Sequence, residues 1–113
     1  MIRLPFPASI LAGHANGRSH YAKSSATKKH REWAGNAAKA APYVIPETGD
    51  ITVHVAFYPP NDRGDRINYP IRMKAYFDGI ADGYGVNDKR FVPQFYFCAP
   101  DKADPRVEVR LGV

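Results

Sequence analysis

Apolar positions along this chain follow two rhythms, a period of two and a period near 3.6. Ile51, Val53, Val55 and Phe57 alternate with Thr52, His54, Ala56 and Tyr58, the pattern of a half-buried strand, and Pro59-Pro60 closes it. Met1 to Phe6 alternates more briefly and reads as a short edge strand stopped by Pro7. Ala26, His30, Trp33, Ala34, Ala37 and Ala41 recur at helical spacing, with Lys28, Lys29, Arg31 and Lys39 on other faces. Ser24 or Ser25 caps this helix, which runs to about Ala41 and is ended by Pro42 and Pro46. The spacing puts Trp33 on the core side. A second stripe, Tyr69, Met73, Tyr76, Phe77 and Ile80, predicts a helix from about Tyr69 to Asp82, with Asn68 as cap and Gly83 and Gly85 turning the chain. Val92–Ala99 reads as a strand, Pro100–Asp104 as a turn, and Arg106–Leu111 as a final strand pairing with it.

The order β-α-β-α-β-β predicts an α+β fold, a small mixed sheet with two helices on one face. With 113 residues the whole chain, 1–113, is expected to form one domain, too small for a nucleotide fold with a separate lid. Residues 12–24, rich in Gly, Asn, Ser, His and Arg, read as a polar, basic, mobile loop.

Charge adds a partner class. Sixteen Lys and Arg against eleven Asp and Glu give +5, a balance that favours a polyanion. The excess sits between Arg3 and Lys39, where the sole acid is Glu32. Cys98 is the lone cysteine, which excludes an intrachain disulfide and Cys-rich zinc sites; its apolar neighbours predict a buried, inert thiol. No stretch approaches the ~20 apolar residues of a membrane span and no signal-peptide pattern opens the sequence, so the expectation is a cytoplasmic protein with no membrane partner. The absence of GxxxxGK[ST] and GxGxxG patterns predicts no nucleotide cofactor, and the scattered His14, His20, His30 and His54 do not suggest a zinc site.

The aspartates are unevenly placed. Asp62, Asp65, Asp78, Asp82 and Asp88 interleave with Arg63, Arg66, Arg72, Lys74, Lys89 and Arg90. Mg²⁺ takes hard oxygen ligands and uses one or two carboxylates with a substrate phosphate, so grouped aspartates in a basic chain suit phosphodiester chemistry. Spacing alone favours a plainer use, in which Asp62 and Asp65 shape a turn while Asp78 and Asp82 solvate a helix. Asp65 and Asp88 flank a helix some 20 Å long and meet only if the chain after Gly85 runs back along it or the helix packs across the sheet edge.

Asp65-Arg66-Ile67-Asn68, then Met73-Lys74-Ala75-Tyr76-Phe77-Asp78-Gly79-Ile80, then Gly85-Val86-Asn87-Asp88 resembles the RusA-like Holliday-junction resolvases, a family encoded by bacteria and their prophages. Leu4-Pro5-Phe6-Pro7 is similar to that family's opening. The resemblance implies a homodimer that binds four-way DNA junctions in recombination and repair and nicks them with Mg²⁺, Mn²⁺ substituting. Carried over by position, Asp65 and Asp88 are metal ligands and Lys74 contacts the scissile phosphate; these three form the implied catalytic set. One departure stands out: the second motif aspartate falls on Ile67, which cannot ligate a metal. Either the site works with fewer protein carboxylates, or Asp62 or Asp78 replaces the missing one, or the chain binds junctions without cutting them.

The basic residues supply candidate DNA contacts: Arg18, Tyr21, Lys23, Lys28, Lys29 and Arg31 in the N-terminal half, and Arg63, Arg66, Lys89 and Arg90 around the motif. Tyr21 is a candidate for stacking on an unpaired base, whereas Phe91, Phe95, Tyr96 and Phe97 read as sheet core or dimer interface. A third reading makes the chain a small structural protein whose charge serves solubility or RNA contacts.

Overall fold

A computed structural model describes residues 1–12 and 18–112, without the side chains of Arg18 and Ser19. It is a small α+β domain with a four-stranded mixed sheet and two helices. The regular elements are β1 (Ile2–Pro5), α1 (Arg18–Ala40), β2 (Ile51–Tyr58), α2 (Lys74–Tyr84), β3 (Phe91–Phe97) and β4 (Arg106–Leu111). Short 3₁₀ turns occupy Ser9–Ala12, Arg66–Asn68, Pro70–Met73 and Asp88–Arg90.

The sheet order is β1-β4-β2-β3, with β2 and β3 parallel and the other pairs antiparallel. The expectation that Arg106–Leu111 pairs with the preceding strand is therefore corrected. The eight residues between β3 and β4 form no tight hairpin; they step over the end of β2. The Cys98 N–H donates to the Phe57 carbonyl at 3.0 Å and the Asp101 N–H to that of Pro59 at 2.8 Å, and β4 descends on β2's far side. Pro93, which lacks a ladder donor, is accommodated because β3 is an edge strand.

Register places Ile2, Leu4, Val53, Val55, Phe57, Val107 and Val109 on one face, all buried, and the helices supply Ala34, Ala38, Met73, Tyr76 and Ile80 to the same core. The helices meet through small residues. A Cβ on Gly79 would collide with the Arg31 carbonyl oxygen, and one on Gly83 would lie 2.7 Å from the Ala38 Cβ. The Tyr76 hydroxyl, fully buried, donates to the Pro5 carbonyl at 2.6 Å and ties α2 to the end of β1.

Helix boundaries differ from the expectation for physical reasons. α1 starts at Arg18 rather than near Ser24, because residues 18–23 contain neither Gly nor Pro to interrupt it. The expected loop is thus helical from Arg18 onward; its part at 13–17, including His14, lies outside the described residues, as does the Arg18 side chain. The turns of 66–68 and 70–73 precede α2, so Asn68 is not its cap: α2 follows Met73 without a side-chain cap, and Asp65, accepting from the Ile67 N–H, caps the 66–68 turn instead. α2 ends two residues later than expected. Gly85, at φ 66°, follows it, with the Val86 N–H bonded to the Ala81 carbonyl and the Gly85 N–H to that of Asp82, a Schellman closure that favours a residue without a Cβ. Trp33, expected inside, is 42% exposed, because Ala34, Gly35 and Ala38 make the close helix contact instead. Cys98, expected buried, is only partly so, at the exposed start of the β3–β4 crossing.

Candidate functional site

Lys74 opens α2 and Asp78 lies one helical turn further on, so their side chains share a face. The Lys74 ammonium donates to Asp78 Oδ1 at 2.8 Å. The same nitrogen donates to Asp88 Oδ2 at 2.7 Å. Asp88 arrives there because the Gly85 turn reverses the chain and Asn87, accepting from the Lys89 N–H, starts a single 3₁₀ turn. The chain after Gly85 thus brings Asp88 back to Lys74 at the start of the helix, while no hydrogen bond or ion pair joins Asp88 to Asp65. The Lys74 side chain is 71% exposed, so the triad lies open at the surface.

Electrostatics follow from that arrangement. Hydrogen bonding from Lys74, then the neighbouring Asp78 carboxyl, holds Asp88 below the usual carboxylate range. Asp78 and Asp88 in turn hold the Lys74 ammonium more firmly protonated than a free lysine. One turn beyond Asp78, Asp82 takes a two-pronged bond from Arg31 of α1, Nε to Oδ2 at 2.6 Å and Nη2 to Oδ1 at 3.0 Å. That contact depresses Asp82, and Arg31 is raised by Asp82 first and then by the fields of Asp78 and Asp88. Three aspartates, a lysine and an arginine therefore make one mixed-charge strip beside the joint of the two helices.

Other sequence-predicted residues are not bonded to this strip. Asp65 is exposed and accepts the Ile67 N–H at 3.0 Å; neither it nor exposed Asp62 is linked to the triad by a hydrogen bond or ion pair. Among the described residues no group of three or more His, Cys, Asp or Glu side chains is gathered at metal-holding distance. Two carboxylates, Asp78 and Asp88, do converge within hydrogen-bond reach of one nitrogen. That donor set fits a hard cation completing its shell with water and substrate oxygens, with Lys74 occupying the cationic position between the two acids. Ile67 is 80% exposed and packs into nothing.

The candidate DNA contacts divide similarly. Lys28 and Lys29 are exposed on α1, and Tyr21 projects at 80% exposure with its ring edge toward His20; Lys23 is half-buried on the same helix. Arg63, Arg66 and Lys89 are exposed. Arg31 is committed to Asp82, and Arg90 donates to the carbonyls of Gly49 and Pro46, fastening the loop before β2. Sequence reasoning missed the Arg31–Asp82 pair, which spans fifty-one positions, and the role of His30. Buried His30 accepts the Ala8 N–H at Nε2 and faces the Ala26 carbonyl through Nδ1, a neutral tautomer tying the turn at 9–12 to α1.

No helix among the described residues is long and apolar enough to cross a membrane. A protein of Xylella fastidiosa (strain Temecula1 / ATCC 700964), described as "Uncharacterized protein", is 36% identical over 96 residues, covering 80% of this chain and 61% of its own. The chain thus spans less than two thirds of that relative's length. No protein-family model matches the chain. No solved structure matches it.

Proposed function

We propose that this chain is a RusA-like, Mg²⁺-dependent endonuclease that resolves four-way DNA junctions by paired nicks, acting as a homodimer in recombination and repair. The observation that supports this reading is the Lys74 ammonium held between Asp78 and Asp88 on an open surface, with the basic, exposed side of α1 on the adjoining helix.

In this reading the acids hold the divalent ion and Lys74 meets the scissile phosphate. Lys74 leaves its carboxylates when DNA arrives, and its protonated state, favoured by both, supplies positive charge where the phosphorane forms. A bound Mg²⁺ supplies activation of water and stabilisation of the leaving oxygen. Asp78 takes the role that the motif assigns to the position of Ile67, while Asp65, on its short turn, stays a ligand candidate reached by the substrate side. Lys28 and Lys29 on α1 neutralise phosphates flanking the crossover. Two-fold symmetry matches two equivalent strands with two equivalent subunits.

Incubation of the purified chain with end-labelled four-way junctions and Mg²⁺ tests the reading. Symmetric paired nicks are expected, lost in Asp88→Asn and in Lys74→Ala. A chain that nicks nothing, alone or as Ile67→Asp, is not a nuclease.

The exposed Ile67 favours one second reading, a junction-binding relative that does not cut. Gel shifts would then show preference for junctions over linear duplex, and Ile67→Asp would bring cleavage. Equal affinity for both DNAs would remove junction recognition from either reading.

A further inference from the structure

A cleft of about 470 Å³ lies where β1 ends, walled by Phe6, Pro7, Pro60, Gly64 and Tyr69, with Arg72 among its lining residues and no acid. Arg72 sits in the 3₁₀ turn before α2, and its contacts are with Phe6, Pro7 and Tyr69. Its guanidinium lies 5.2 Å from the Tyr69 ring centre and 5.8 Å from that of Phe6, and Nη1 donates to the Pro7 carbonyl at 3.3 Å. Nε is buried and has no partner among the described residues. Arg3, Arg31 and Arg106 each reach a carboxylate at 2.6 to 2.7 Å; among the described residues no carboxylate reaches Arg72. Burial is the main influence on this group and disfavours its charge.

A half-buried guanidinium with five N–H donors, two flanking rings, one long hydrogen bond and no carboxylate partner has donor capacity left for an anion. Among the described residues Arg72 is the one charged side chain lining the cleft, with Ser9 and Asn61 as further polar groups. The ring faces hold the guanidinium plane in place, which leaves its remaining edge organised for a two-oxygen acceptor. The +5 of the chain enriches multiply charged anions near its surface, which favours phosphate over a carboxylate.

We infer that the Arg72 cleft is a phosphate-binding notch, separate from the Lys74–Asp78–Asp88 strip. The phosphate belongs either to a nucleic-acid backbone or to a small phosphorylated molecule. The first source rests on the DNA reading above; the second does not.

Nitrogen-15 NMR of the arginine side chains in the full chain, titrated with inorganic phosphate at constant ionic strength, is the direct test. The Arg72 guanidinium signals, those of its Nη groups first, should shift saturably and those of Arg3 and Arg106 should not. Arg72→Gln should weaken phosphate binding roughly tenfold or more, and Arg72→Lys should keep the fold while losing much of the affinity. In a salt series with four-way-junction and single-stranded oligonucleotides, Arg72→Lys or Arg72→Gln should lower the log–log slope by about 1 if the source is a DNA backbone. Phosphate binding with an unchanged slope supports the notch and assigns it to a small phosphorylated ligand. An Arg72 signal that ignores phosphate in the wild-type chain overturns the inference, and that measurement does not depend on any variant folding.

Discussion

Replacing Gly79 by alanine sets two known effects against each other. Gly79 lies inside α2, where alanine is preferred to glycine by roughly 1 kcal/mol on helix propensity alone. The added methyl would collide with the Arg31 carbonyl oxygen and lie 2.8 Å from the Ala34 Cβ and 3.0 Å from the Arg31 carbonyl carbon. Those obstacles are mostly backbone, which cannot turn aside as a flexible side chain can, so the upper end of the usual overpacking cost, roughly 3 kcal/mol, applies. The net expectation is a loss of about 2 kcal/mol, a fall of roughly 10 °C in Tm for a domain of this size. Gly35, the facing residue on α1, is the control. Its nearest neighbour to a new Cβ is the Gly79 carbonyl oxygen at 3.4 Å, ordinary contact, so Gly35→Ala should gain about 0.5–1 kcal/mol. Urea denaturation of both variants, with m-values unchanged, reads the two signs. The displacement should also pull Arg31 from Asp82 and let the Asp82 pKa rise toward its ordinary value. If Gly79→Ala is as stable as the parent, or both variants move in the same direction, the close helix contact is not as described.

Three further outcomes follow from the same geometry. Burial holds His30 below its ordinary pKa, so its contribution is complete above about 6.5 and is lost as pH falls through the lower folded value; His30→Gln should flatten the stability profile on that acid side, read by Tm between pH 7 and 5. Tyr76→Phe removes the 2.6 Å bond to Pro5 and leaves that carbonyl unpaired, costing about 1–2 kcal/mol in urea melts and speeding amide exchange in β1. Lys74→Ala should let the Asp88 carboxyl titrate at higher pH, measured by carbon-13 NMR; an unmoved Asp88 would mean that the 2.7 Å contact does not persist in solution.

Residues with local causes were legible in the sequence, and residues placed by distant contacts were not. β2 and β4 follow from alternation at the positions where they occur. The partner of β4 does not, because the crossing over Phe57 and Pro59 decides it, and those bonds are formed by irregular chain. The Lys74–Asp78 pair has a local cause, since residues four apart share a helix face. The return of Asp88 needed the Gly85 turn, whose presence was readable but whose direction was not. Trp33 was misplaced because periodicity counts apolar side chains, while this helix pair meets through glycine and alanine. Arg72 was one arginine among several in a mixed-charge stretch, and nothing local marks it as the one whose Nε is buried without a partner.

The central position of β4 also governs how the chain can reach this structure. β1 finds its ladder only on β4, where Ile2 faces Val109, and β2 takes β4 as one of its two neighbours. During synthesis residues 2–5 therefore wait for a partner that leaves the ribosome some hundred residues later. Until then the β2–α2–β3 unit presents a row of unpaired backbone groups along β2. Folding should be late and highly cooperative, slow for a domain of this length because its decisive contact closes so long a loop. In that interval the bare flank of β2 is where a second nascent chain would be most readily captured.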